Sequence, residues 1–498
     1  MASAESLSYA VRPAVVGHYL GQLLVLVGLL VVPPLLFALI DREFTHAIGY
    51  AVAVAVMLAA GLLLQRGQRT HDIQLNEAVV VVAAIFILVP LIMAVPMMSA
   101  GIGFLDALFE AMSGITTTGL STLQSVADKP ASLLFTAAWL QWLGGIGIMV
   151  LSFTLLFGQS ASAKRLTGVL GNQEGILGGT RAYALIIIRV YLAMTVIGIA
   201  ALWLAGAGIF PAVTLTLSSV STGGFAPFDS SLAGVNGTVQ TLVILLCIAG
   251  AICIPLFSQA VRGNWRDLAR DPELHALLVA GLIVFALLAL DRWSRGGAGG
   301  HMTDLLFTAF SAQTTAGFSA APVHAMDPFS KVVLIVSMFV GGSVGSSAGG
   351  IKLLRLLVFI KIIRLIILRT RLTPHAAVQT PIAGRTWSDD ELVRLLAVVG
   401  LFAAVIVLSW LPFLWAGYDP LDALFEVVSA AGTVGLSTGV SSLGLPVGLK
   451  GVLCLDMLLG RLEILPLLVF LAPRTWIGAR RPIEAVAGAA GKAKDKVS

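Results

Sequence analysis

Charged residues are scarce in this chain: Asp, Glu, Lys and Arg together make up only 11% of its 498 residues. A soluble domain carries about 25%, so the composition excludes an ordinary soluble enzyme and a disordered chain. Cysteine is rarer still, and its three residues (Cys247, Cys253 and Cys454) lie inside apolar runs, which excludes a disulfide-stabilised secreted scaffold. Apolar sequence is abundant, at 58%, and this indicates a helical membrane protein with many spans.

The chain contains ten apolar stretches that are long enough to be membrane spans, because about 20 apolar residues cross about 30 Å of hydrocarbon. No small-residue cleavage site follows the first stretch, so we expect it to remain as a helix. The eighth is too long for one straight helix and has a glycine-rich break inside it. The predicted spans are residues 15–40, 47–65, 76–99, 133–158, 183–208, 237–260, 275–291, 330–369, 393–416 and 447–472.

Lysine and arginine predict how the spans are oriented. If the N-terminus is cytoplasmic, more than 20 of the 31 basic residues face the inner side. The positive-inside rule then places both termini in the cytoplasm. Because the net charge of +5 is spread over short loops, it predicts topology and no nucleic-acid partner. The six outer residues are Arg42, Lys129, Arg292, Arg295, Lys331 and Lys450.

One pattern recurs in four segments, each on the outer side between two spans. When the segments are aligned on a glycine, Thr stands two residues before it, Ser six before it, and Leu or Phe directly after it. Four chance occurrences of S-x-x-x-T-x-G-[LF] at equivalent places are very improbable. The segments are 106–122, 211–227, 304–320 and 422–438, and their aligned glycines are Gly119, Gly224, Gly317 and Gly435.

Each segment predicts a half-helix that enters the membrane, followed by a non-helical return. It starts with Asp106, Pro211, Asp304 or Asp422, residue types that favour a helix start, and the aspartates are expected to be caps. About ten amphipathic residues follow, which make about 15 Å of helix, or half a membrane. Bare backbone is tolerated at that depth only beside a polar cavity, and glycine permits its unusual dihedrals.

The candidate ion-binding residues, which would form the selectivity filter, are the Thr-x-Gly triplets of the four returns. Rings of carbonyl oxygens replace the hydration shell of an alkali cation, and the negative C-terminal ends of four half-helices would point towards the same centre. One triplet alone is more simply explained as a turn, but four copies in register favour a pore. The candidates are Thr117, Thr118, Gly119, Thr222, Gly223, Gly224, Thr315, Ala316, Gly317, Thr433, Val434 and Gly435.

These segments and three further runs resemble the TrkH/KtrB/HKT superfamily of potassium transporters over nearly the whole chain. The runs are WLGGIGIMVL (142–151), GGSVGSSAGGIKLLR (341–355) and MLLGRLEI (457–464), and two extra N-terminal spans make the chain more similar to TrkH than to KtrB. The resemblance implies an all-α polytopic membrane protein with four membrane–pore–membrane repeats in pseudo-fourfold arrangement around a central ion pore. It also implies an intramembrane gating loop, a homodimer, a TrkA-type cytosolic nucleotide-binding ring, and a place in the bacterial inner membrane.

On this basis the chain divides into a helix pair, four repeats and a tail. Potassium is the expected transported substrate, the lipid bilayer is the expected surrounding, and no cofactor is expected. The predicted units are 1–70 (N-terminal helix pair), 71–182, 183–272, 273–385 and 386–480 (pore repeats 1 to 4), and 481–498 (disordered cytoplasmic tail).

A glycine-rich run interrupts the eighth span and is expected to form a gate below the filter. It lacks the Gly-Lys-Ser/Thr triplet of a phosphate-binding loop, and packing of small residues between helices is the remaining alternative. By resemblance, Lys352 anchors this loop. The predicted gate residues are Gly341, Gly342, Ser343, Gly345, Ser346, Ser347, Gly349, Gly350, Lys352 and Arg461.

Arg461 lies in the middle of the tenth predicted span. A central charge costs several kcal/mol unless it faces water or a partner, so we expect it to face the cavity as a positive barrier below the filter. An ion pair with Asp456 or Glu463 is the structural alternative, although helical spacing disfavours both. A partner on another helix is favoured.

The sequence thus predicts potassium uptake through a gated pore, driven by the membrane potential, and no enzymatic activity. Gly119 stands where a serine accompanies sodium preference in plant members of the superfamily. Only the fourth repeat reads Thr433-Val434-Gly435, and none continues with Tyr-Gly, so we expect weaker selectivity than in a tetrameric potassium channel. The alternatives are a less selective potassium/sodium pathway and the potassium-translocating subunit of an ATP-driven pump. Symport with protons or sodium is left open.

Overall fold

The computed structural model describes residues 10–66, 73–156, 176–296, 301–369 and 389–478. All regular structure within these ranges is helical, without a strand, which confirms the all-α prediction. The predicted tail at 481–498 lies outside the described residues.

Twenty α-helices, one π-helical turn and one 3-10 turn follow one another along the described residues. The first half of the chain contains α1 (Pro13–Leu30), α2 (Val32–Ile40), α3 (Phe44–Gln65), α4 (Leu75–Met98), α5 (Phe104–Ile115), α6 (Ala131–Leu156), α7 (Ile176–Leu204), α8 (Ile209–Val220), α9 (Gly237–Gly250) and α10 (Ile254–Gln259). The second half contains a π-helical turn (Ala260–Asn264), α11 (Trp265–Ala269), α12 (Pro272–Ser294), α13 (Met302–Gln313), a 3-10 turn (Val323–Ala325), α14 (Pro328–Val340), α15 (Leu353–Arg369), α16 (Asp389–Trp415), α17 (Pro420–Ala431), α18 (Val447–Arg461), α19 (Leu465–Leu471) and α20 (Pro473–Trp476).

Seven helical stretches in the described part are long and apolar enough to cross a membrane. Their burial shows which helices lie at the centre of the protein and which lie at its periphery. In α6, 72% of the apolar window is buried inside the protein, whereas in α7 only 28% is buried. The seven are Pro13–Ile40 (α1 with α2), Phe44–Gln65, Leu75–Met98, Ala131–Val150, Ala184–Leu204, Pro272–Ser294 and Leu392–Trp415.

Two of the other three predicted spans are wrong as continuous helices, because 237–260 divides into α9 and α10, and 447–472 divides into α18 and α19. The third, 330–369, divides into α14 and α15 at the predicted glycine-rich break. The break between α18 and α19 contains two residues with positive φ, Glu463 (58°) and Ile464 (64°). Hydropathy averaged over a long window measures apolar length and does not detect such local breaks.

Two glycines set the packing of the N-terminal helices α1 and α3. A Cβ on Gly21 would lie 2.6 Å from the Gly61 carbonyl oxygen, and a Cβ on Gly61 would lie 2.7 Å from that of Gly21. No side chain fits there, so the two backbones touch, as small residues allow between membrane helices. Arg12 then joins α1 to α4, because its Nε lies 2.7 Å from Glu77 Oε1.

Four helices of 12 residues each, α5, α8, α13 and α17, are too short to span a membrane. At 1.5 Å per residue each is about 18 Å long, close to the predicted half-span. Their C-terminal halves are fully buried, as in α5 from Phe109 to Ile115. We call them the short helices, and we call the segments that follow them return loops 1 to 4 (116–121, 221–226, 314–319 and 432–437).

The aspartates predicted as helix caps lie inside the first turn instead. Asp106 belongs to the first turn of α5, whose N-cap is Gly103. Among the short helices only α17 has an aspartate cap, Asp419, whose side chain accepts the N–H groups of Leu421 and Asp422. A cap residue must have extended backbone before the first turn, and the chain enters these helices earlier than the repeated aspartate suggests.

Two of these first-turn aspartates pair with lysines of a neighbouring helix. Asp422 Oδ1 lies 2.7 Å from Nζ of Lys331 in α14, and Asp106 Oδ1 lies 2.5 Å from Nζ of Lys450 in α18. The two carboxylates therefore fix the outer ends of α17 and α5 to the neighbouring helices α14 and α18.

Candidate functional site

Every short helix ends in the same hydrogen-bonded cap. In the first, the N–H of Thr118 donates to the Ser113 carbonyl and that of Thr117 to the Gly114 carbonyl, both at 2.9 Å. This pair of bonds closes a helix whose next residue is left-handed. The other three ends repeat it: Gly223 to Ser218 (2.7 Å) with Thr222 to Ser219 (3.0 Å), Ala316 to Ser311 (2.9 Å) with Thr315 to Ala312 (3.1 Å), and Val434 to Ser429 (2.8 Å) with Thr433 to Ala430 (3.0 Å).

A threonine occupies the left-handed position in every return loop, where glycine is the usual residue. The φ values are 55° at Thr117, 50° at Thr222, 55° at Thr315 and 48° at Thr433. A β-branched residue at such φ is a genuine outlier, and strain of this kind, about 1–3 kcal/mol each, clusters at functional sites. The hydroxyls of Thr117 and Thr433 are buried without a hydrogen-bond partner in the described residues, so their lone pairs face no protein donor there.

The four aligned glycines form a closed cycle of contacts. All have positive φ, between 76° and 99°, and none has room for a side chain. A Cβ would meet the carbonyl oxygen of Gly223 at Gly119, of Ala316 at Gly224, of Val434 at Gly317, and of Thr118 at Gly435. The glycine of each return loop is therefore in close contact with a carbonyl of the next loop, and the glycine of the fourth loop contacts the first. The four loops thus surround one centre.

Two buried glutamates, which were not among the predicted site residues, brace return loops 1 and 4. Glu110 Oε1 accepts the N–H of Thr122 at 2.8 Å and the hydroxyl of Ser121 at 2.9 Å. Glu426 Oε1 accepts the N–H of Thr438 at 2.9 Å. Both stand nine residues before an aligned glycine, inside the shared run DALFE, and that repetition is the signal by which they are recognisable in the sequence.

A cavity of about 660 Å³ opens beside all four aligned glycines, and its wall includes Glu110 and Asp229. The exposed carboxylate of Asp229 accepts the N–H groups of Val126 at 2.5 Å and Ala127 at 3.1 Å. These bonds, that from Val126 above all, hold the pKa of Asp229 below its usual range. The mouth of the cavity therefore carries negative charge, which attracts cations.

The glycine-rich loop, residues 341–352, lies against return loops 2, 3 and 4. Ser347 Oγ is 3.2 Å from Thr222 Oγ1, and the N–H of Gly349 donates to Thr315 Oγ1 at 2.8 Å. A Cβ on Gly349 would also meet Thr433 Oγ1. The cavity wall contains the aligned glycines but none of these threonines, so the loop and the cavity lie on opposite sides of the return loops.

The backbone of this loop is held by its own residues and by the break after α9. Ser346 Oγ donates to the Ser343 carbonyl at 2.6 Å, and the N–H of Ser343 donates to the Ala251 carbonyl at 3.0 Å. A Cβ on Gly342 would meet the side chain of Ala348. Three loop glycines have positive φ: Gly341 (72°), Gly345 (77°) and Gly350 (73°).

Arg461, at the end of α18, binds two carbonyls on two other elements. Its Nη1 donates to the Ser347 carbonyl at 2.7 Å, and its Nη2 donates to the Gly144 carbonyl of α6 at 2.9 Å. Within the described residues no carboxylate pairs with it, because Asp456 accepts a bond from Ser409 Oγ instead, at 2.6 Å. The partners of Arg461 do lie on other elements, and they are backbone groups.

Lys352 and Glu463 make separate contacts next to this arginine. Lys352 Nζ donates to the Ala348 carbonyl, so the lysine folds back on the loop that it is predicted to anchor. Glu463 forms an ion pair with Arg355 of α15. The structure thus brings the predicted gate residues together at one place beside the return loops, and it links them to α6, α9, α15 and α18.

The chain is similar to known cation transport proteins over most of its length. A family model described as TrkH, a cation transport protein, matches residues 44–270 and 272–476. An uncharacterized cation transporter of Methanocaldococcus jannaschii is 28% identical over 458 residues, which cover 91% of this chain and 94% of that protein. The Trk system potassium uptake protein TrkH of Salmonella typhimurium is 28% identical over 484 residues, which cover 92% of this chain and 98% of that protein.

The likeness extends to a solved structure. The crystal structure of the potassium transporter TrkH from Vibrio parahaemolyticus matches with a TM-score of 0.82 and 25% sequence identity, over 94% of this chain and 100% of that chain. Together with the seven apolar helices, this similarity identifies an integral membrane protein and confirms the predicted all-α polytopic membrane fold.

Proposed function

The chain belongs to the TrkH family of cation transport proteins, and on this premise we propose that it carries potassium into the cell through a gated, potassium-selective pore. It is thus a transporter and not an enzyme. The observation that carries the proposal is the closed cycle of return loops, because four loops around one centre offer a cation oxygen ligands from every side. Relatives named as Trk system potassium uptake proteins support potassium as the transported ion.

The ion ligands in this proposal are backbone carbonyls of the four Thr-x-Gly triplets. The strained left-handed threonines support it, because such strain persists only where the surroundings enforce it. The unpartnered hydroxyls of Thr117 and Thr433 add two further oxygens, and that of Thr433 lies beside Gly349 of the glycine-rich loop. The short helices also direct their negative C-terminal ends at the same centre. The triplets are residues 117–119, 222–224, 315–317 and 433–435.

The glycine-rich loop serves as the gate in this proposal, and ions pass when it moves. It occupies the space beside the threonines of return loops 2, 3 and 4. Arg461 holds it there through the Ser347 carbonyl and places a positive charge beside the path. A like charge at that point raises the energy of a passing cation, and Lys352 at the end of the loop has the same sign.

The membrane potential is the proposed driving force. One positive charge gains about 2.3 kcal/mol per 100 mV when it moves inward across an inside-negative membrane. The positive-inside rule supports cytoplasmic termini, and a bacterial inner membrane comes from the family resemblance. Each of the four repeats supplies one return loop and therefore one quarter of the pore: residues 71–182, 183–272, 273–385 and 386–480.

A homodimer and a cytosolic TrkA-type nucleotide-binding ring complete the proposal, and both come from the family resemblance. The inner helix α15 supports a cytosolic contact, because its sequence includes the basic residues Lys361 and Arg364. Such basic residues attract an acidic protein surface or anionic lipid headgroups.

The test is tracer uptake by the purified chain in proteoliposomes under an imposed inside-negative potential. Rubidium should enter faster than sodium. Gly317→Ala should abolish uptake, because the new Cβ would meet the Val434 carbonyl. Gly400→Ala is the matched control, since nothing lies within 4 Å of its added Cβ, and it should behave as the wild type.

Each contrary outcome has a definite meaning. Equal entry of rubidium and sodium would remove potassium selectivity and favour the less selective pathway. A lack of uptake in the wild type and also in Arg461→Gln, in which the gate is weakened, would overturn the pore and favour the subunit of an ATP-driven pump.

A further inference from the structure

The helix after each return loop contains, or is directly followed by, a glycine that marks a common register. A Cβ would meet the Ile115 carbonyl at Gly144, the Val220 carbonyl at Gly250 and the Ala431 carbonyl at Gly460, each of which ends the short helix of the same repeat. In the third repeat Gly341 has this place, and its carbonyl accepts a bond from Gln313 at the end of α13, at 2.9 Å. Three residues before these glycines stand four fully buried residues: Gln141, Cys247, Met338 and Met457.

Gln141 is the one member of this set with a polar amide, and that amide reaches return loop 2. Its Nε2 donates to the Gly223 carbonyl, and its Oε1 accepts the N–H of Phe225 at 3.2 Å. One donor and one acceptor of the amide are thus used on the two sides of Gly224. A buried amide is costly unless it is hydrogen-bonded, and here both bonds go to the return loop.

The sequence of return loop 2 leaves room for this amide. A Cβ on Gly223 would collide with the side-chain amide carbon of Gln141, whereas the other three loops carry a side chain at the aligned position. In return loop 3 that residue is Ala316, and it shares an apolar cluster with Cys247. The glycine at position 223 is therefore paired with a glutamine of α6, whereas the alanine at position 316 is paired with a cysteine of α9.

The Gly223 carbonyl that Gln141 binds is also part of the closed cycle, because Gly119 is in close contact with it. We propose that Gln141 is a positioning residue of the filter, which fixes return loop 2 and so keeps the ring at a width that favours potassium over sodium. A smaller ion needs the carbonyls to move inward, and a carbonyl held by an amide resists that movement. The inference rests on the proposed function, since it concerns the selectivity of the same pore.

The experiment compares rubidium and sodium uptake by the full chain in proteoliposomes. Gln141→Met introduces the residue of the third and fourth repeats and should lower the rubidium-to-sodium ratio about fivefold to tenfold, the net worth of about one hydrogen bond, while rubidium still enters. Gln240→Met is the matched control, because Gln240 is also buried and donates to the Leu232 carbonyl at 2.8 Å, outside the return loops. It should leave the ratio unchanged.

A second variant separates the amide from the packing. Gln141→Cys combined with Gly223→Ala reproduces the cysteine–alanine pair of return loop 3, and it should lower the ratio as Gln141→Met does. A wild-type ratio in either folded variant would overturn the inference. A wild-type chain that admits neither ion would count against the proposed function instead, so the two failures are distinguishable.

Discussion

Removing the Arg461 guanidinium should make the gate easier to open. The change Arg461→Gln leaves a shorter, neutral side chain that reaches at most one of the two carbonyls now bound, those of Ser347 and Gly144. A hydrogen bond from a charged donor is worth about 1.5–3 kcal/mol net. The loss of about 2 kcal/mol from the closed arrangement corresponds to roughly a thirtyfold change in the ratio of open to closed protein.

The assay is the initial rate of rubidium uptake at a fixed inside-negative potential. Arg461→Gln should raise the rate up to roughly thirtyfold, the limit that the two-state ratio sets. Arg461→Lys should lie between the wild type and the glutamine variant, because lysine keeps the charge but lacks the planar fork that reaches two carbonyls. Arg394→Gln, which changes an exposed arginine of α16, is the control and should have no effect.

Two outcomes of this assay would contradict the role of Arg461 as the residue that holds the loop closed. If folded Arg461→Gln took up rubidium at the wild-type rate or more slowly, Arg461 would not hold the loop closed, and its two bonds would stabilise the conducting form instead. A rise in the Arg394→Gln control would mean that the total positive charge, and not the contact with Ser347, controls the rate.

Three further changes test other parts of the structure. Gly119→Ser should lower rubidium uptake and the rubidium-to-sodium ratio in the tracer assay, because its Cβ would meet a carbonyl of return loop 2. The control Gly147→Ala should leave both quantities unchanged, because nothing lies within 4 Å of its added Cβ. Lys450→Met should lower the free energy of unfolding by about 3 kcal/mol, because the mostly buried Asp106 loses its partner. In thermal unfolding, the additional change Asp106→Leu should restore part of this loss. A double variant no more stable than the single variant would contradict the pairing. Asp229→Ala should lower Tm at pH 7 more than at pH 3. The pKa of Asp229 lies below its usual range, so its stabilisation is complete above the unfolded pKa and is lost as pH falls through the folded pKa; an equal fall in Tm at both pH values would contradict this.

The return loops are predictable from the sequence because their geometry is local. The cap bonds span three to five residues, as from Thr117 to Gly114 and from Thr118 to Ser113. The two positions with positive φ are the threonine and the glycine of the shared pattern. The spacing of residues within one segment is therefore enough to predict the shape of its loop. The pattern is recognisable in the sequence because it occurs four times.

The contacts between repeats are not predictable in this way. Gln141 and Gly223 are 82 positions apart, and Arg461 and Gly144 are 317 apart. Whether such residues meet depends on how whole helices are placed beside one another, and no spacing within a segment contains that information. The breaks after α9 and α18 were missed for a related reason, since averaged hydropathy does not distinguish a broken apolar stretch from a continuous one.

The cycle of aligned glycines has a direction. Each of the first three glycines contacts a carbonyl of the return loop that follows in the chain. Gly435 of the last loop contacts the Thr118 carbonyl of the first loop. Each loop therefore contacts two neighbours, one through its own glycine and one through its own carbonyl, and a displaced loop disturbs both contacts. The ring is closed only when all four loops are present, and a chain cut after its second repeat would leave Gly224 without the Ala316 carbonyl that it contacts.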